Sequence, residues 1–112
     1  MKIHVKTKAP DIQWIDLVGD LDFHSTPQLR QELAKLVEGK IRKFLVDLKK
    51  VSYIDSSGLA TFVELFQKMK KGGGKLILFN LAQPVRSVFE IAKLDSIFQL
   101  AKDEEEALAL AS

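Results

Sequence analysis

The sequence predicts an α/β fold in which residues 1–112 form a single domain, a mixed β-sheet packed by about four α-helices. Three observations carry that expectation. Short apolar runs of strand length, Phe44 to Leu48 and Lys75 to Phe79, alternate with stretches whose apolar residues recur at helical spacing. Two extended-looking stretches come first, separated only by a turn signal, so the sheet opens with an antiparallel hairpin. No linker, repeat or low-complexity block interrupts the alternation, which leaves no place to divide the chain.

In chain order, the hairpin strands are Lys2 to Lys6 and Ile12 to Val18, joined across Lys8-Ala9-Pro10-Asp11. After Gly19-Asp20-Leu21-Asp22, the segment Ser25-Thr26-Pro27-Gln28 offers a hydroxyl cap and a proline for the first helical turn. Leu29, Leu33, Leu36 and Val37 then share one helical face, and Gly39 ends the helix. Phe44 to Leu48 is too brief for a helix and apolar enough for a central strand. From Leu59 the spacing Leu59, Phe62, Val63, Phe66, Met69 describes an amphipathic helix, with Glu64, Gln67, Lys68, Lys70 and Lys71 outward. Lysines in the last turn suit the helix dipole. Gly72-Gly73-Gly74 ends that helix, and Lys75 to Phe79 forms the next buried strand. Val85, Val88, Phe89 and Ala92 mark a helix from Pro84; Phe98 to Ala101 reads as a short strand, and Asp103 to Glu106 as an acidic first turn leading into Ala107 to Leu110. Periodicity leaves the strand order open.

Composition narrows the function. Seventeen Lys and Arg against 15 Asp and Glu leave a formal charge of +2. That charge is too small and too dispersed for a direct nucleic-acid partner, and it favours a protein partner. A chain of 112 residues buries roughly two-thirds of its unfolded surface and folds without a metal or disulfide. There is no cysteine, so thiolate metal sites and cysteine nucleophiles are excluded. No run approaches the roughly 18 apolar residues of a membrane span, and Met1 to Lys6 has no apolar signal core, so a cytoplasmic address is expected.

The chemically unusual segment is Val51-Ser52-Tyr53-Ile54-Asp55-Ser56-Ser57-Gly58-Leu59, which places a carboxylate and two hydroxyls between a strand and a helix. Free N–H groups at a helix N-terminus tolerate an added phosphate on Ser56 or Ser57. Spacing alone favours a plain N-cap made by Asp55, Ser56 or Ser57. A hydrolase nucleophile elbow needs glycine two residues before the serine, where Ile54 stands, and His4 and His24 are remote in sequence. Gly72-Gly73-Gly74-Lys75 precedes a strand, whereas a phosphate loop precedes a helix. Asp20, Asp22 and His24 alternate as metal ligands can, but such loop residues are more often solvated or capping groups, and no metal is expected. Phe62 and Phe66 read as core. Lys68, Lys70, Lys71 and Lys75 form a basic patch suited either to water or to an acidic partner surface.

Taken together, Gly19-Asp20-Leu21-Asp22, Val46-Asp47-Leu48, Val51, Ile54 to Leu59, Gly73-Gly74-Lys75-Leu76 and Leu94-Asp95-Ser96-Ile97-Phe98 resemble the bacterial anti-sigma-factor antagonists, the free-standing STAS domains. The match runs in order over nearly the whole chain. Its most specific part is Asp55-Ser56-Ser57-Gly58; Asp20 replaces the family's more usual glutamate and keeps the charge. The resemblance implies a STAS-like sheet packed by helices and a switch protein with neither catalytic activity nor a cofactor. It implies that Ser56 is phosphorylated by an anti-sigma factor with serine-kinase activity and reset by a serine phosphatase. Unmodified, such a protein binds the anti-sigma factor and releases the sigma factor. By the same resemblance Asp22, Asp55, Ser56, Ser57 and Gly58 border the partner-binding surface. A second reading within the same fold is an accessory subunit of a transport or lipid-trafficking assembly.

Elementary electrostatics supports a switch independently. A phosphate adds about −1.5 to −2 charge beside Asp55. One unit of repulsion against a partner carboxylate about 5 Å away, at an effective dielectric near 20, costs roughly 3 kcal/mol, or about 100-fold in affinity. No refolding is required. Ser56, nearest the strand-to-helix corner, is the expected acceptor, while Ser57 is placed to cap or pack. Gly58 is expected to serve geometry more than recognition.

Overall fold

The computed structural model describes residues 1–112. Strand β1 (Lys2–Ala9) pairs antiparallel with β2 (Ile12–Val18), and β3 (Lys43–Lys50), β4 (Lys75–Phe79) and β5 (Gln99–Ala101) extend the sheet in parallel. The five strands lie in sequence order. Side chains alternate across this sheet with period two. Ile15, Leu17, Phe44, Val46, Leu48, Leu76 and Leu78 therefore pack on one face against Leu29 and Leu33 of α1 (Thr26–Val37), Phe62, Leu65 and Met69 of α2 (Ser56–Lys71), and Val85 and Phe89 of α3 (Gln83–Ile91). Trp14, Leu45, Ile77 and Phe79 occupy the other face, covered by Ala107 and Ala111 of α4 (Glu104–Ala111). Strands β3 and β4 are covered on both sides, which explains their unbroken apolar runs. No helix is long and apolar enough to cross a membrane.

Aromatic rings tie the helical layer together. Phe89 lies 6.3 Å from Phe62 and 5.6 Å from Phe98, and Phe98 lies 5.4 Å from Phe66. Such tilted and edge-on pairs contribute beyond their buried area. Phe62 is fully buried and Phe66 partly buried, so both belong to the core. Helix α4 is closed at both ends. Asp103 accepts from the Glu106 amide at 3.0 Å while the Glu106 carboxylate accepts from the Lys102 amide at 3.1 Å, a reciprocal cap. At its other end Lys75 Nζ donates to the carbonyls of Leu110 and Ser112 at 3.3 and 3.4 Å.

Four local expectations are amended. Strand β1 continues through Ala9, past a bulge between Thr7 and Ala9. Helix α2 begins at Ser56, earlier than the apolar period, because a polar first turn is held by its cap rather than by burial. Ser25 stands at the N-cap of α1 without making a side-chain cap bond; its hydroxyl turns back instead, accepting from the Asp22 amide and donating to the Asp20 carbonyl. Ala92 is exposed, since α3 ends at Ile91 and the chain turns away through Lys93 at φ 59°.

Candidate functional site

The parallel strands β2 and β3 end at the same edge, and both loops that follow lead to helix N-termini. Beyond the strands, an isolated bridge joins Leu21 to Ile54. The Leu21 amide donates to the Tyr53 carbonyl at 2.9 Å, and the Asp55 amide donates to the Leu21 carbonyl at 3.0 Å. Leu21 is fully buried. The bridge sets the loop from Asp22 to His24 beside the loop from Ser52 to Asp55, so residues remote in sequence form one surface.

Each loop is fastened by an aspartate. Asp22 Oδ1 accepts from the amides of His24 (3.0 Å) and Ser25 (3.1 Å), while Ser25 Oγ accepts from the Asp22 amide and donates to the Asp20 carbonyl at 2.7 Å. Asp55 caps α2: its Oδ1 accepts from the amides of Ser57 (2.9 Å) and Gly58 (3.2 Å) and from the Ser57 hydroxyl at 2.6 Å. The Ser57 hydroxyl holds the Asp55 carboxyl below its ordinary pKa. Desolvation opposes this, and the amides of Gly58, Ser57 and Phe23 reinforce it. Asp55 therefore stays charged, and its charge is already engaged.

The two serines have different surroundings. Ser57 is half-buried, bonded to Asp55 and within 3.4 Å of the buried Thr26 hydroxyl, and its carbonyl accepts from Thr61 Oγ1 at 2.8 Å. Ser56, the first residue of α2, is exposed, and its hydroxyl has no protein partner. Gly58 is buried. A Cβ there would stand 2.6 Å from Ile54 Cγ1, 3.0 Å from the Leu21 carbonyl oxygen and 3.1 Å from Leu21 Cβ. It permits the helix to approach the bridge and offers nothing to solvent.

The remaining candidates separate from this arrangement. Asp20 takes a hydrogen bond from Ser52 Oγ at 3.2 Å, and His24 packs its ring 4.6 Å from that of Phe23. Asp22 spends its oxygen on backbone amides, so Asp20, Asp22 and His24 do not converge. His4 lies on the edge strand β1, and the serine hydroxyl contacts run to Asp55 and Thr26 rather than to an imidazole. Gly72 to Gly74 ends α2 and enters β4.

Two exposed aromatics extend the surface. Phe23 is 67% exposed and Tyr53 52% exposed, one in each of the two bridged loops. Large apolar side chains in that position suit docking more than folding. The signal available in the sequence is one aromatic residue in each loop, Phe23 between Asp22 and His24 and Tyr53 after Ser52.

Comparison with known proteins agrees with this geometry. Residues 5–107 match the STAS domain family. The chain is 37% identical over 105 residues to the anti-sigma-B factor antagonist of Bacillus subtilis, with 94% of each chain covered, and 32% identical over 110 residues to that of Listeria monocytogenes, with 95% of each covered. The solved anti-sigma factor antagonist SpoIIAA in its unphosphorylated form superposes with a TM-score of 0.82 at 25% identity, covering 97% of this chain and 95% of that one. A sheet of this order with three helices on one face and one on the other, bearing the Asp55-Ser56-Ser57-Gly58 corner, accompanies sequence similarity over nearly the whole length, and the chain belongs to the STAS domain family.

Proposed function

We propose that this protein is an anti-sigma-factor antagonist whose affinity for its partner is set by phosphorylation of Ser56. The carrying observation is the contrast between the two hydroxyls: Ser57 is bonded to Asp55, whereas Ser56 is exposed and unpartnered on a helix N-terminus already closed by that cap. The similarity to anti-sigma-B factor antagonists supports the same reading. Unmodified, the surface around Ser56, flanked by Phe23 and Tyr53, docks an anti-sigma factor and so frees a sigma factor. The anti-sigma factor is itself the serine kinase, a serine phosphatase restores the hydroxyl, and the exchange takes place in the cytoplasm. Asp22 and Asp55 border the docking surface as rigid supports of its loops, Ser57 stabilises the Asp55 cap, and Gly58 sets the helix height.

The mechanism is local. A phosphate on Ser56 replaces a neutral hydroxyl with about two negative charges beside the ionised Asp55. In the free domain, water and the positive end of the α2 dipole accommodate it. Against a partner the same charge is desolvated and meets the opposing surface, where a repulsion of roughly 3 kcal/mol suffices for release. Within the protein, phosphorylation forms the Ser56 Oγ–phosphorus bond as the kinase breaks the β–γ phosphoanhydride of ATP, with the hydroxyl proton passing to the kinase. This chain contributes an acceptor, not a catalytic group.

The test uses an anti-sigma factor of the serine-kinase type from the same organism, with ATP and mass-spectrometric location of the phosphate. Wild type and Ser57→Ala are expected to be modified at Ser56, and Ser56→Ala to remain unmodified. Labelling that persists in Ser56→Ala and disappears in Ser57→Ala reverses the assignment. An activated-ester assay is expected to show no turnover above background.

A further inference from the structure

The end of the molecule away from Ser56 carries a preformed feature that the switch does not use. Helix α2 runs 16 residues from Ser56 to Lys71, a rise of about 24 Å, so its last turn lies at the opposite end of the domain. There the segment entering β3 meets the turn entering β4. The Lys75 amide donates to the Arg42 carbonyl at 2.8 Å, and the Gly74 amide to the Met69 carbonyl at 2.7 Å. Glycine permits the approach: a Cβ on Gly74 would stand 2.5 Å from the Arg42 carbonyl oxygen, and one on Gly72 3.3 Å from Arg42 Nη1. Between these loops is a hollow of about 490 Å³, mouth included, with Val37, Ile41 and Met69 as its apolar lining and Arg42 and Lys68 as its cations.

Its positive charge is uncompensated. The ion pairs of the molecule join Arg30 to Glu64, Lys43 to Asp11 and Arg86 to Glu90. Arg42, Lys68, Lys70 and Lys71 stand outside them, and Lys75 is engaged with the end of α4. A helix C-terminus carries the equivalent of about half a negative charge, which the three lysines in the last turn of α2 exceed.

We propose that this basic hollow is a second docking site, and that its occupant is an acidic peptide segment of another protein carrying an apolar side chain next to its carboxylates. Arg42 and Lys68 pair the carboxylates, and the apolar side chain enters among Val37, Ile41 and Met69. Membrane binding draws on apolar side chains that protrude, whereas these line a concavity. Nucleic acid draws on a long row of phosphate contacts rather than one apolar-lined hollow. The chain's own acidic and apolar segment, Glu104 to Ala111, is committed to α4, with Ala107 and Ala111 buried on the sheet. Because the hollow and Ser56 lie at opposite ends of α2, such a segment is held in both phosphorylation states.

The probe is a short fluorescein-labelled peptide alternating glutamate and leucine, titrated into the full chain at low salt and followed by anisotropy and amide NMR. Saturable binding with shift changes at Ile41, Arg42, Lys68, Met69 and Gly72 to Gly74 is expected, weakened about tenfold or more by the pair Arg42→Gln and Lys68→Gln through loss of charge-assisted hydrogen bonds. Ile41→Asp, which places a carboxylate in the hollow, is expected to abolish it; unchanged melting temperatures exclude misfolding. Equal binding of an all-glutamate peptide overturns the proposal, because the apolar lining then contributes nothing. So do shift changes confined to Asp55 to Leu59, or binding to phosphatidylglycerol vesicles or single-stranded DNA without binding to the peptide.

Discussion

At the N-terminal end of α2, Asp55 accepts three hydrogen bonds and leaves one hydroxyl, that of Ser56, facing solvent; at the C-terminal end, Lys68, Lys70, Lys71 and Arg42 carry permanent charges without carboxylate partners. The two ends share one construction. Each holds a glycine whose Cβ would crowd the neighbouring loop, the Ile54 side chain and the Leu21 carbonyl for Gly58 and the Arg42 carbonyl for Gly74. They differ in what the rigid frame presents. At one end the geometry is fixed and one exposed hydroxyl is left free; under the proposed function a single phosphate there reads out as a change in binding. At the other the charge is constant, which suits an attachment that does not switch.

The largest effects are expected from breaking the shared construction. Gly58→Ala and Gly74→Ala each force a Cβ to within about 3 Å of a backbone oxygen. Each should lower stability by about 1–3 kcal/mol in urea denaturation, even after the roughly 1 kcal/mol that alanine gains over glycine within a helix in the case of Gly58. Unchanged midpoints would mean that the loops yield freely and that neither end is a rigid frame.

Next comes the cap at the variable end. Asp55→Ala is expected to cost about 1–2 kcal/mol and to release the Ser57 hydroxyl, which is then a competing acceptor for the kinase. Modification that stays exclusive to Ser56 in this variant would show that the kinase, not the cap, selects the serine. The same carboxylate carries a pH signature. Its pKa is lowered in the folded chain, so its stabilisation is complete above the unfolded value near pH 4 and is lost as pH falls through the lower folded value. Asp55→Asn should flatten that acid limb, and an identical limb in wild type and variant would remove Asp55 from it.

The smallest effect belongs to the opposite end. Lys75 donates to the last carbonyls of α4 from an exposed position, so Lys75→Ala should cost about 0.5 kcal/mol. Hydrogen exchange should then quicken from Ala107 to Ser112 and nowhere around Ser56.

The layered fold and the corner at Ser56 were legible because both rest on local signals. Phe44 to Leu48 and Lys75 to Phe79 read as buried strands since each is apolar on both faces, and the structure covers both faces. Asp55-Ser56-Ser57-Gly58 was visible as a carboxylate and hydroxyls at a strand-to-helix corner. What escaped was set by contacts between distant segments. Asp22 and Ser25 fasten the first loop by bonding to each other, and not to the first turn of α1, beside a backbone fixed by the Leu21–Ile54 bridge. Phe23 and Tyr53 share no local pattern in the sequence; only that bridge sets their loops side by side. The hollow joins Val37 and Arg42 to Lys68 and Gly74, a pairing that no periodicity encodes. Strand order was open for the same reason.

In the proposed switch, phosphorylation changes one surface charge on a frame that does not move. Amide-resolved NMR of the stoichiometrically Ser56-phosphorylated protein against the unmodified protein tests it most directly. Shift changes should be confined to the bridged loops, from Asp22 to His24 and from Tyr53 to Leu59. Changes spreading through Phe44 to Leu48 of β3 and Leu76 to Phe79 of β4 would mean that the frame moves and establish a conformational switch instead.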